Sequence, residues 1–115
     1  MNNVNFDNTD TPSISLMCKR HDYEYNSATG TFVTGDWVIS EKKQRELLGQ
    51  KVTLTEFKQT EAYLGGRITG FVPSDKKSAQ KQVKVVFQPD PRLTGDRTHS
   101  NHKGWGTGRS VCYLD

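Results

Sequence analysis

Apolar residues in this chain come in short runs broken by turn-forming residues. The segments 14-ISLM-17, 23-YEYN-26, 31-TFV-33 and 37-WVIS-40 recur at close intervals, separated by SATG and TGD. Short β-branched and aromatic runs with turn residues between them read as strands of a meander joined by hairpin turns. Further on, 51-KVTLTEF-57 alternates Val52, Leu54 and Glu56 against Lys51, Thr53 and Thr55, the period-two pattern of a strand with one buried face. In 62-AYLGGRITGFV-72, Gly65, Gly66 and Gly70 interrupt apolar residues, which predicts bulges or tight bends. The run 83-VKVVFQ-88 predicts a core strand ended by 89-PDP-91, and 110-SVCYL-114 a final strand.

One helix is expected. Ser40 suits an N-cap, Glu41 the positive helix start, Leu47 and Leu48 a small apolar contact, and Gly49 a left-handed C-terminal cap. About eight residues cannot hold a helix in water, so this one must cover part of the sheet. Seven short strands and one brief helix leave no room for several crossover helices. The expected class is all-β or β-rich α+β, a small barrel or strongly bent antiparallel sheet with one short helix. Residues 1–12, rich in Asn and Asp, are expected to be a disordered or loosely attached arm, and residues 13–115 a single domain. The polar insert 73–82 is expected to be a mobile loop.

Composition adds a constraint on the core. Hydrophobic residues make up 32%, and even with glycine included the total falls below the roughly 45–50% of ordinary globular domains. Disorder or an oligomer interface would account for the shortfall. No apolar run approaches the roughly 20 residues of a membrane helix, and the first residues lack a signal-peptide pattern, so a cytoplasmic protein is expected. Two cysteines, Cys18 and Cys112, fit reduced thiols in that compartment.

Charge changes the picture further because it is segregated. Residues 1–40 carry two Lys or Arg against five carboxylates, whereas residues 76–109 carry eight against two. Polyanions are attracted to a surface of the second kind.

The helix ending in LLGQKV (47–52), followed by 64-LGGRITGFV-72 and 83-VKVVFQ-88, resembles the PUA-like barrels, including their ASCH and EVE branches. The ASCH pattern Gly-x-Lys-x-x-Glu-x-Arg is met by Gly49 and Lys51 and departed from at Leu54 and Glu56. The resemblance implies a cleft between helix and barrel that holds RNA, or a flipped or modified base. The short chain also resembles proteins carried on mobile gene cassettes.

Three chemistries are open to the segment 97-RTHSNHKGWGTGR-109. In the first, a basic face binds RNA or DNA, Arg and Lys neutralising phosphates and Trp105 stacking on bases. Its residues are Lys51, Arg67, Arg92, Arg97, Asn101, Lys103, Trp105 and Arg109, with Gly104, Gly106 and Gly108 admitting a close ligand. The competing reading makes Trp105 a lid over the barrel end, with the glycines merely turning the chain. In the second, Cys18, His21, His99 and His102 form a four-ligand zinc set. In the third, His99 or His102 beside Arg97 or Lys103 serves a ribonuclease-type enzyme, or Cys112 acts as a nucleophile with a histidine. The first is preferred, as a non-enzymatic binding domain without cofactor. The alternative is a protein-interaction or homo-oligomeric module, whose exposed strand edges need cover.

Overall fold

The computed structural model describes residues 12–75, 81–100, 102–105 and 110–114. The expected N-terminal arm therefore lies outside the described residues except for Pro12, which is buried, and so do residues 76–80 of the 73–82 insert. Seven strands form: β1 (Ile14–Met17), β2 (Tyr23–Asn26), β3 (Thr31–Trp37), β4 (Lys51–Thr55), β5 (Leu64–Pro73), β6 (Val83–Pro89) and β7 (Val111–Tyr113). One helix, α1 (Glu41–Leu47), and a single 3₁₀ turn (Pro91–Leu93) complete the described elements. The β-rich α+β expectation holds. The strands make one sheet in the order β2-β3-β6-β5-β4-β1-β7, which stays open rather than closing into a barrel. All its pairings are antiparallel except that of β1 with β4, which is parallel.

Local chemistry accounts for the boundaries. The Ser40 hydroxyl accepts from the Lys43 N–H at 3.2 Å and caps α1. Gly49 follows the helix at φ +82°, a conformation that suits glycine. The 35–36 region, expected to be a hairpin turn between two strands, instead lies inside β3, where the pairing with β6 shifts register between Thr34 and Trp37. Residues 38–40 are outside any strand. Gly35 fits there because a Cβ would stand 2.6 Å from Lys84 Cγ. The bulge expected in β5 is present, as a register shift between Ile68 and Gly70.

On one face of the sheet Ile14, Leu16, Val52, Leu54, Ile68, Val85 and Phe87 pack with Trp37, Ile39 and Leu47 into the main core. Helix α1 joins this core through Leu47. The pattern of β4 predicts a solvent face on the other side, yet all five of its residues are buried. Lys51, Thr53 and Thr55 lie on that second face together with Ser15 of β1, Gly65 of β5 and Cys112 of β7, and all are buried.

Residues 90–96 and Trp105 lie over much of this face, and the 57–60 loop over Thr55. Asp90 N–H donates to Gly65 O at 2.8 Å, Ala62 N–H to Asp96 O at 2.9 Å, and Gly95 N–H to Ala62 O at 2.8 Å. Leu93, 1% exposed, sits directly over Gly65, where a Cβ would be 2.7 Å from Leu93 Cβ. The basic stretch near the C-terminus is thus anchored on a second, smaller buried layer.

Candidate nucleic-acid interface

Two loops 40 residues apart in sequence meet at the end of β4. The first, residues 56–60, is braced by threonines: Thr55 Oγ1 lies 2.7 Å from Phe57 O, and Phe57 N–H donates to Thr60 Oγ1 at 3.1 Å. That bracing presents Phe57 to solvent, 63% exposed. The second loop, residues 96–105, is pinned against the first by a histidine. His99 is fully buried, and its Nε2 lies 2.5 Å from Thr60 O. A carbonyl only accepts, so His99 carries its proton on Nε2. Among the described residues its buried Nδ1 has no hydrogen-bond partner.

Around this pin the chemistry collects. Trp105 is half-buried and donates its indole N–H to His99 O at 2.8 Å. Its ring stands edge-on to His99, and its backbone bridges Cys112. Lys58 Nζ lies 5.5 Å from the Trp105 ring centroid, a cation–π contact. Arg97 donates Nη2–H to Gln59 O at 3.0 Å, and Lys103 is exposed. Lys58 and Phe57 are the members that the sequence pattern does not mark, because they sit 40 residues upstream, just past and at the end of an expected strand. Asp96, the nearest carboxylate in this loop, is engaged by Thr98 through its N–H at 2.8 Å and its hydroxyl at 3.2 Å.

The other predicted residues lie elsewhere. Lys51 is 4% exposed and pairs with Asp90 at 3.3 Å, so it is a buried structural cation and not a phosphate contact. Arg92 grips the same carboxylate at 2.8 Å, and Arg67 donates to Gly49 O at 2.6 Å. Two guanidinium hydrogen bonds from Arg92 and one from its backbone N–H, with Lys51 adding a fourth, hold the Asp90 carboxyl well below the usual carboxylate range. This group gathers at the start of β4, roughly 15 Å from the Trp105 corner by strand rise alone. Asn101 and Arg109 lie outside the described residues. Gly104 backs onto the Tyr113 carbonyl, so its lack of a side chain serves packing and not ligand approach. Gly106 and Gly108 lie outside the described residues.

The zinc set is not assembled. Cys18 Sγ contacts Thr34 Oγ1 at 3.4 Å, His21 is exposed, His99 is tied to Thr60, and His102 Nδ1 accepts the Gly104 N–H at 2.8 Å. Among the described residues no group of three or more His, Cys, Asp or Glu could hold a metal ion. His99 is also too enclosed to meet a substrate as a base. Cys112 does come within 3.9 Å of His102 Nδ1, but burial pushes its thiol up to about 11, which opposes formation of the nucleophilic thiolate. Both cysteines are free and buried.

A groove of about 430 Å³ lies between α1 and β5, lined by Glu41, Gln44, Arg45, Leu48, Thr69, Gly70 and Phe71. Lys51 is buried against Asp90 and is not among its lining residues. Among the described residues no helix is long and apolar enough to cross a membrane. No family model matches the chain, and neither does any curated protein or solved structure.

Proposed function

We propose that this protein is a non-enzymatic module that binds single-stranded nucleic acid at the corner formed by loops 56–60 and 96–105. The observation that carries the reading is the meeting of Lys58, Arg97 and Trp105 around the buried His99 pin, with Lys103 exposed two residues before Trp105 and Phe57, 63% exposed, next to Lys58 in the chain. Cations neutralise phosphates, and aromatic faces stack bases without regard to sequence. A pre-formed corner loses little conformational entropy on binding. The structural job of Trp105 and its binding job are compatible, since the indole N–H is tied to His99 O while the residue stays only half-buried, with Lys58 over its ring as a cation that a phosphate can meet. Two buried free thiols fit a reducing compartment, and a cytoplasmic setting is part of the proposal.

The magnitude is set by charge. Three cations on a single strand give a slope of about −2 in log affinity against log salt, so raising salt from about 50 to 200 mM should weaken binding roughly 15- to 20-fold. Fluorescence anisotropy of labelled single-stranded RNA and DNA at those two salts tests it. Lys103→Ala should flatten the slope by about 0.7, and Phe57→Ala should cost about 1 kcal/mol or more without touching the slope. Absence of binding at low salt, or binding indifferent to salt, would overturn the proposal.

A further inference from the structure

The two edges of the sheet are finished differently. At one, β7 is bridged at Cys112 by Trp105. At the other, β2 pairs only with β3 among the described residues. An open edge offers unpaired N–H and C=O groups, and proteins blunt one with a very short strand, charged side chains, proline or a bulge. The four-residue β2, Tyr-Glu-Tyr-Asn, has one charge, Glu24, but no lysine or proline, and its pairing with β3 is regular.

The faces flanking this edge have opposite chemistry. On the core side Tyr25 is 58% exposed, its ring 4.9 Å from that of Phe32. On the other side is a cleft of about 270 Å³ whose lining includes His21, Asp22, Glu24, Val33, Asp36 and Lys84. Three carboxylates there face one lysine. No ion pair among the described residues reaches Asp22, Glu24 or Asp36, and Asp36 Oδ1 is buried without a hydrogen-bond partner. An anionic strand of nucleic acid is repelled by such a surface, so this edge is independent of the Trp105 corner.

We infer that the β2 edge receives an extended segment of a partner protein that adds a strand to the sheet. Strand addition draws affinity from main-chain hydrogen bonds and specificity from alternate side chains. Because side chains alternate with period two, every second residue of the incoming strand faces the acidic cleft and the others face Tyr25. The segment therefore carries Lys or Arg at the first set of positions and apolar or aromatic residues at the second.

The test uses the full chain and a labelled nonapeptide of alternating lysine and valine, with a glutamate–valine peptide as control. Anisotropy should show the lysine peptide bound at least about tenfold more tightly than the control. Amide exchange of residues 23–26 should slow when it binds. Glu24→Gln combined with Asp36→Asn should weaken it about tenfold. Glu24→Lys, on an exposed position that the fold does not need, should do the same should Asp36→Asn impair folding. Equal binding of the two peptides, unchanged exchange at residues 23–26, or full binding by the Glu24→Lys protein would overturn the inference. So would a concentration-dependent dimer abolished by Glu24→Lys, which would assign the edge to a second copy of this chain. Nucleic-acid affinity tracks Lys58 and Lys103 and not Glu24, so the two proposals fail separately.

Discussion

Strand β5 carries three glycines whose replacement by alanine should have three different outcomes. A Cβ on Gly66 would stand 2.7 Å from the Gln88 carbonyl carbon, nearer still to its oxygen, and 2.8 Å from Phe87 Cδ2. Ordinary carbon contacts need about 3.5 Å or more. The obstacle is backbone in the neighbouring strand, so relief requires β5 and β6 to part. Overpacking a core typically costs about 1–3 kcal/mol, and this case belongs at or above the upper end. At Gly65 the Cβ would meet Leu93 Cβ at 2.7 Å and Val52 O at 2.8 Å. Leu93 can move, but it is the anchor of the covering segment, so about 2 kcal/mol is expected together with loosening of that segment. At Gly70 nothing lies within 4 Å and φ is ordinary. Alanine there should stabilise by about 0.5 kcal/mol, because it restricts the unfolded chain.

For a domain of this size 1 kcal/mol moves the melting temperature by about 4 °C or slightly more. Gly66→Ala should then melt roughly 12 °C lower, Gly65→Ala roughly 8 °C lower, and Gly70→Ala about 2 °C higher. Circular dichroism melts, with urea midpoints at constant m-value, measure this directly. Should Gly66→Ala melt within about 3 °C of the parent, or Gly70→Ala prove as costly as Gly66→Ala, the packing argument for β5 fails. Gly65→Ala carries a functional consequence as well. It disturbs the segment that holds Arg97 and Trp105, so single-strand affinity should fall while that of Gly70→Ala is unchanged.

Other expectations follow from individual groups. Because the Asp90 carboxyl is held below its usual range, its stabilising effect is present above about pH 4 and is lost as pH falls further. Asp90→Asn should flatten that acid limb in a stability–pH profile and lower stability at pH 7. The Cys112 thiol, raised to about 11, makes the folded state bind the extra proton between about pH 9 and 11, so stability should decline across that window as pH rises. In Cys112→Ser protein that decline should shrink, and in the parent an aromatic disulfide reagent at pH 8 should label Cys112 only on unfolding. His99→Ala removes a fully buried ring and its bond to Thr60, and should cost about 3 kcal/mol by urea denaturation. It should also release the Trp105 corner, seen as a red shift of tryptophan emission.

The sequence made most of the strands legible because their signals are local. β-branched and aromatic runs bounded by Gly, Asn and Pro found β1, β2, β6 and β7 to within a residue or two, and the Ser40 to Gly49 cap pair bracketed α1. The TGD stretch misled for a physical reason. A glycine reads as a turn when its neighbours are unknown, yet Gly35 is small because Lys84 of the adjoining strand occupies the space. The alternation in β4 was similarly blind to the back of the sheet. Lys51, Thr53 and Thr55 are polar yet buried: Asp90 pairs with Lys51, Leu93 sits over Gly65 beside Thr53, and the 57–60 loop takes the Thr55 hydroxyl.

The candidate site divides along the same line. Arg97, Lys103 and Trp105 stood out as a basic, glycine-spaced run, whereas Lys58 and Phe57 became part of the corner only through the His99–Thr60 and Arg97–Gln59 contacts across the fold. Cation–π pairing between Lys58 and Trp105 leaves no local trace in a chain where the two are 47 positions apart in number and joined by packing alone. Similarly, nothing in the composition separates Lys51, sealed beneath Asp90, from Lys103, open to water.

By itself the sequence determined most of the secondary structure, the β-rich class and the segregation of charge, since backbone propensity, capping and side-chain alternation act over a few residues. Only the tertiary structure decided which face each strand buries, that the sheet stays open with one parallel pair, and which cations face solvent. Those outcomes depend on contacts between residues far apart in the chain, whose free energy is realised only when the whole sheet has formed.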